Sequence, residues 1–241
     1  MPANDDLSAA RRAWRAAAAR LPRKVTRPLR VTKRALVDSG YLRSNWRNQA
    51  VDASGQPTPW YTFPALAYLA SLDFSGKEVF EFGSGNSTLY WQRRAARVTA
   101  VEHDEEWHAL VAPRLDPARA TVRLARAEDE YVAAVDDGRD RGWDVIVVDG
   151  LHRTACARRA VKRLAPGGLL ILDNADWFPE IAAELRGAEL LEVDFHGQGA
   201  INFYVSTTSV FFDRQAHPLA LGPQPVPAAG SIPFPGPAEV R

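Results

Sequence analysis

Through the middle of the chain, short apolar runs alternate with longer stretches of helical period. Residues 79–82, 97–101, 121–125, 144–148 and 169–172 are runs of four or five mostly apolar positions, as expected of strands covered on both faces. Residues 64–72, 86–96, 105–112, 127–136, 154–165 and 177–186 place apolar side chains every three or four positions, the spacing of helices with one covered face. Pro64 suits a first helical turn, Asp104 an N-cap, and Gly167-Gly168 the end of the helix before the fifth strand. Strands this apolar, separated by helices, predict a parallel sheet with helices on both faces. Two further β-like runs, 190–195 and 202–212, are joined through Gly197-Gln198-Gly199 and predict a hairpin-like antiparallel pair at the sheet edge. Phe195, Phe203, Phe211 and Phe212 alternate on that pair and read as core. The sum is a doubly wound α/β sheet of five parallel strands plus a terminal antiparallel pair.

The ends differ from this middle. Residues 11–34 hold ten basic residues and no acidic one. Within them Trp14, Ala17, Ala18 and Leu21 fall at helical spacing, so residues 1–40 read as a basic, partly helical segment. Such a segment fits either a solvated helix beside the domain or peripheral contact with an anionic membrane. Residues 217–241 carry seven prolines and read as an extended or disordered tail, leaving 41–216 as the folded domain. A chain of 241 residues can bury a core without staples. Its one cysteine, Cys156, excludes an intrachain disulfide and a cysteine-built zinc site, and fits a cytoplasmic protein. A net charge of +1 does not call for a nucleic-acid partner, and no apolar run has the length of a membrane span.

Candidate chemistry begins where the first strand ends, at Glu81-Phe82-Gly83-Ser84-Gly85-Asn86-Ser87-Thr88. Glycines in a strand-to-helix turn let backbone approach a ligand closely. The third glycine of a dinucleotide fingerprint would stand at Thr88, and Glu81 projects a carboxylate where a pyrophosphate would sit. A diphosphate cofactor is disfavoured, and a zwitterionic one whose ammonium a carboxylate can hold is favoured. Glu102 ends the second strand 21 residues after Glu81, where an acidic residue can accept ribose hydroxyls, and His103 follows it beside the cofactor.

With Asp144-Val145-Ile146-Val147-Val148-Asp149-Gly150 and Leu164-Ala165-Pro166-Gly167-Gly168 through Asp173-Asn174, these motifs resemble the class I S-adenosyl-L-methionine (SAM)-dependent methyltransferases, which have a Rossmann-like fold. The resemblance spans residues 60 to about 213. It implies that Glu81, Gly83, Ser84 and Gly85 hold the methionyl part of SAM and Glu102 the ribose, that Asn86, Ser87 and His103 also border the cofactor, that Ala127 and Glu128 flank the adenine, and that Asp149 adjoins the cofactor. Asp149, Asp173 and Asn174 resemble the oxygen ligands of metal-dependent O-methyltransferases, which implies a magnesium ion positioning the acceptor hydroxyl. An acidic residue after the fourth strand also occurs in this superfamily without a metal, and Asp173-Asn174 also suits a helix cap. His152, three residues after Asp149, resembles the general base of sugar O-methyltransferases, with Asp149 as the second catalytic residue. The expected activity is O-methylation of a small molecule or glycan. A metal-independent methyltransferase acting on nitrogen or RNA, and a SAM-binding module without catalysis, stay open beside it. Pro59-Trp60-Tyr61-Thr62-Phe63-Pro64 is a dense aromatic stretch that fits a lid or packing of the first core helix equally.

Overall fold

The computed structural model describes residues 22–137 and 140–222. The helix expected around Trp14, Ala17, Ala18 and Leu21 and the tail from 223 onward lie outside the described residues. Five parallel strands come first along the chain: β1 (Glu78–Phe82), β2 (Arg97–Glu102), β3 (Ala120–Leu124), β4 (Trp143–Val148) and β5 (Leu164–Leu172). β6 (Leu191–Gln198) and β7 (Val205–Phe212) close the seven-stranded sheet, in the order β3-β2-β1-β4-β5-β7-β6. β7 lies antiparallel between β5 and β6, so the terminal pair sits at one edge. The helices are α1 (Arg23–Asp38), α2 (Tyr41–Arg47), α3 (Phe63–Ala70), α4 (Asn86–Arg94), α5 (Glu105–Val111), α6 (Glu128–Ala133), α7 (Arg153–Ala160) and α8 (Pro179–Gly187). Among the described residues, no helix is long and apolar enough to cross a membrane.

Each face of the sheet has its own core. Phe80, Phe82, Ile146 and Val148 pack with Tyr131, Ala157 and Ile181 of α6, α7 and α8. Val79, Val145, Val147 and Ile171 pack with Leu69 of α3, Trp91 of α4 and Tyr61. Side chains alternate between faces along a strand. Continued past the strand ends, that alternation puts Glu81, Glu102, Asp149 and Asp173 on the second face. Four adjacent strands thus deliver four carboxylates to one side of the sheet's carboxyl edge.

Two details of the sequence reading change. The fifth strand starts at Leu164, because α7 stops at Ala160 and gives way to a 3-10 turn, Val161–Arg163. Gly167-Gly168 therefore ends no helix. It forms an irregularity between the pairs Trp143↔Leu164 and Val145↔Leu169, with Gly167 at φ +76°. In the terminal pair, Gly197 and Gln198 are laddered to Ser206 and Val205, and the turn is 199–204. Gly197 has no side chain because α3 crosses there: a Cβ would stand 2.9 Å from Pro64 Cδ. Phe211 and Phe212 are core, but Phe203 lies in the turn and is 91% exposed.

Candidate active site

The β1–α4 turn wraps a cavity of about 420 Å³ at the carboxyl edge of the sheet. Glu81, Gly83, Ser84, Ser87, Glu102, His103 and Asp149 all line it. Gly83 has φ +97°, and a Cβ there would press on Gly150 Cα at 3.3 Å, so the turns after β1 and β4 are close-packed behind the cavity. Glu102 is buried and locks two loops together. One oxygen accepts the Ser84 N–H at 3.0 Å and hydroxyl at 2.9 Å; the other accepts the N–H groups of His103 at 2.8 Å and Asp104 at 3.0 Å. The Ser84 hydroxyl is the rotatable donor that a ligand hydroxyl can replace.

Glu81 is equally buried but less well satisfied. Its Oε2 accepts the Thr88 hydroxyl at 2.5 Å, while Oε1 has no partner in hydrogen-bond geometry. Burial pushes its carboxyl up to about 7, against the pull of the Ser87 and Thr88 hydroxyls, and repulsion from Glu102 adds to the rise. A buried acceptor left open in this way suits a cationic donor from a ligand. An amino-acid ammonium meets that need.

A second cavity of about 400 Å³ adjoins the first. Asn48 and Ala50 after α2, Trp60, Trp107, Trp177 and Tyr204 form its wall, with Asp149, Arg153, Asp173 and Asn174 at its floor. Asp149 lines both cavities. The three residues expected to hold magnesium do converge, but on a guanidinium. Arg153 donates to Asp149 Oδ1 at 2.9 Å, to Asn174 Oδ1 at 3.2 Å, to the Asp149 and Gly150 carbonyls, and to the Asp173 carbonyl. Its guanidinium also lies 5.2 Å from the centre of the Phe178 ring. Asp173 is tied elsewhere, accepting the Thr208 hydroxyl at 2.6 Å. Among the described residues no group of His, Cys, Asp and Glu is arranged to hold a metal ion. Asp149, Asp173 and Asn174 thus do not fit magnesium as they stand, because the Asp149 and Asn174 side-chain oxygens are engaged by Arg153 and the Asp173 carboxylate by Thr208. Desolvation and the neighbouring Asp173 push Asp149 well above the usual carboxylate range, with Arg153 opposing, and burial raises Asp173 too.

One interaction bears on three further expectations. His152 caps α7 in the left-handed region, at φ +51°. That backbone turns its ring onto Tyr131, with centroids 6.1 Å apart, and brings Nδ1 to 3.4 Å from the Glu128 carboxylate. His152 therefore lines a separate hollow with Glu128, Leu151 and Phe178, not the cavity floored by Asp149 and Asp173. Glu128, drawn to His152, is not on the wall of the first cavity, and neither is Ala127, the residue before α6. Gly85 and Asn86 line the second cavity rather than the first, and Asn86 Nδ2 donates to the Ala50 carbonyl at 2.8 Å.

The aromatic stretch before α3 divides. Trp60 faces the second cavity, while Tyr61 is fully buried, its hydroxyl in the field of Glu81, Asp149 and Asp173. Trp107 escaped the sequence reading. Its indole N–H donates to the Ser84 carbonyl at 2.8 Å, and its ring borders both cavities. One turn of helix after the Asp104 cap was the available signal, since that position faces the glycine turn.

Comparison with known proteins agrees with this geometry. Residues 80–175 match the family model described as methyltransferase domain. No curated protein matches the chain. Among solved structures, the chain is similar to the O-methyltransferase TomG of Streptomyces achromogenes, involved in tomaymycin synthesis and solved with SAM (16% identity, 75% of this chain and 88% of that one, TM-score 0.54). It is similar to the O-methyltransferase of Bacillus cereus solved with S-adenosylhomocysteine (SAH) (16% identity, 73% and 91%, TM-score 0.55). A third similar structure is an O-methyltransferase described as putative in its own name, from Klebsiella pneumoniae (20% identity, 74% and 89%, TM-score 0.50). Residues 80–175 are thus similar to a methyltransferase domain, and the chain shares the fold of these methyltransferase structures.

Proposed function

We propose that this domain binds SAM in the first cavity and transfers its methyl group to a hydroxyl of a small molecule or glycan held in the second, without a metal ion. The observation that carries this reading is Asp149, whose carboxylate borders both cavities. In-line transfer from a sulfonium needs the acceptor aligned with the methyl carbon, and a hydroxyl acceptor must lose its proton. Asp149 takes that proton as the new oxygen–carbon bond forms and the carbon–sulfur bond breaks to leave neutral SAH. A carboxylate raised by burial is a better proton acceptor than an exposed one. Arg153 orients it, and Glu81 and Glu102 receive the cofactor's ammonium and ribose. The O-methyltransferases TomG and that of Bacillus cereus, which share the fold, support the choice of oxygen.

Calorimetric titration with SAH, followed by methyl transfer from SAM to a pool of hydroxylated acceptors in EDTA, tests the reading. SAH binding and EDTA-resistant turnover are expected. Failure to bind SAH removes the cofactor assignment, and turnover that stops in EDTA returns Asp149, Asp173 and Asn174 to metal ligation.

A further inference from the structure

The N-terminal helices present a surface the catalytic reading leaves unused. Between Pro22 and Arg47 stand eight basic residues and one acidic residue, Asp38. At about 100° per residue, Val25, Leu29 and Leu36 fall on one side of α1 with Lys33 at its edge, and Lys24, Arg27 and Arg30 on the other together with Val31. Leu29 is 52% exposed, and of this stripe only Leu36 is half-covered. α2 continues the surface with exposed Leu42 and with Trp46, which is 91% exposed.

This surface is built into the rim of the acceptor cavity. The Ser44 hydroxyl of α2 donates to the Val51 carbonyl at 2.7 Å, and Tyr41 Oη donates to the Asn202 carbonyl at 3.3 Å. Asn48 and Ala50, which follow α2, line the cavity, as do Tyr204 and Trp177. Phe203 stands out at the same rim, its ring 5.3 Å from Tyr204, which is 5.6 Å from Trp177. An aromatic ladder thus runs from solvent into the acceptor site.

We propose that α1, α2 and the 199–204 turn dock the protein on an anionic bilayer surface, with the acceptor cavity opening toward it, so that the methyl acceptor is a hydroxyl carried by a membrane-tethered molecule. The last part rests on the function proposed above; the docking does not. Charge complementarity selects the anionic surface, since cations beside a bilayer are each attracted to its phosphates. The apolar stripe and the exposed Trp46 and Phe203 select a bilayer over RNA. Aliphatic side chains gain nothing from phosphates, but they lose unfavourable hydration at the acyl boundary, where tryptophan also settles.

The test is co-sedimentation of the full chain with vesicles of phosphatidylcholine alone or with about 30 mol % phosphatidylglycerol, near physiological salt. Binding to the anionic vesicles only is expected, weakened about thirtyfold or more in Arg27→Glu/Arg30→Glu and about tenfold in Leu29→Ser/Trp46→Ser. SAH titration of each variant shows that it is folded and keeps this result separate from the cofactor reading. A fluorophore on Phe203→Cys, selective because Cys156 is buried, should shift to shorter wavelength when anionic vesicles are added. Docking is overturned by equal binding to both vesicles, by no binding in protein that still binds SAH, or by insensitivity to the charge reversal. It is equally overturned if RNA is retained in preference, or if Trp46→Ser abolishes a dimer instead of vesicle binding. An unmoved label on Phe203→Cys, with vesicle binding intact, removes the cavity's orientation.

Discussion

Two pairs of carboxylates share one edge of one sheet and are held in opposite ways. Glu81 and Glu102, on β1 and β2, are met by no Arg or Lys but by backbone N–H groups, the hydroxyls of Ser84 and Thr88 and, at Glu102, the His103 ring, whose Nδ1 is 2.9 Å away. After β4 and β5, the Asp149 carboxylate pairs with the guanidinium of Arg153, which also holds the Asp173 backbone carbonyl, while the Asp173 carboxylate accepts the Thr208 hydroxyl within the same field. Neutral donors stabilise a carboxylate without cancelling its charge, so the first pair still attracts a cation. The second pair already has one. On the proposed function, one edge of the sheet is divided into a half that accepts a positively charged cofactor and a half that positions its own base.

If this division holds, the largest effect comes from Asp149. Asp149→Asn should lower kcat by about 10²- to 10⁴-fold, the usual contribution of a general base, with SAH affinity nearly unchanged. Equal turnover in the variant would remove Asp149 from the chemistry. Next is the internal cation. Arg153→Met leaves the half-buried Asp149 carboxylate unpaired beside buried Asp173 and should cost about 1–3 kcal/mol of unfolding free energy near neutral pH, read from urea melts. The loss should shrink in acid, where protonation relieves the repulsion; an acid-independent loss would mean that Arg153 only packs against Phe178.

Glu81 gives a pH test of the cofactor half. Its carboxyl sits at about 7 in the fold against 4.5 for the free side chain. A raised folded value means the folded state holds the proton more tightly. The contribution is therefore complete below about pH 4.5 and is lost as pH rises to about 7, roughly 3 kcal/mol in all. Urea midpoints should show Glu81→Gln more stable relative to wild type at pH 8 than at pH 5. SAH, with its ammonium, should bind more tightly as pH rises toward 7, by up to about tenfold per unit. Methylthioadenosine, which lacks the ammonium, should show no such slope; parallel slopes would place the ammonium elsewhere. The smallest effect is expected at Glu102. Glu102→Ala should weaken SAH binding by about 1.5–3 kcal/mol, the value of hydrogen bonds to a charged group.

Much of the fold was legible in the chain. Apolar strands spaced by helices determined the doubly wound sheet, because burial on two faces demands continuous apolar runs. Gly83 and Gly85 in a strand-to-helix turn, with Glu102 ending the next strand, marked the cofactor end through backbone requirements that few other residues satisfy. The alternation that puts Glu81, Glu102, Asp149 and Asp173 on one face was present in the sequence as well. The partners of those carboxylates were not. Spacing puts His152 three residues from Asp149, yet a left-handed backbone and the pull of Glu128 turn it away. The Arg153 guanidinium gains its set of partners only where the turns after β4 and β5 meet around it. Sequence by itself determined which groups reach the sheet's edge, since local pattern and backbone propensity act over a few residues. Only the tertiary structure decided which charges they meet there, because those partners come from turns that folding alone brings within hydrogen-bond reach.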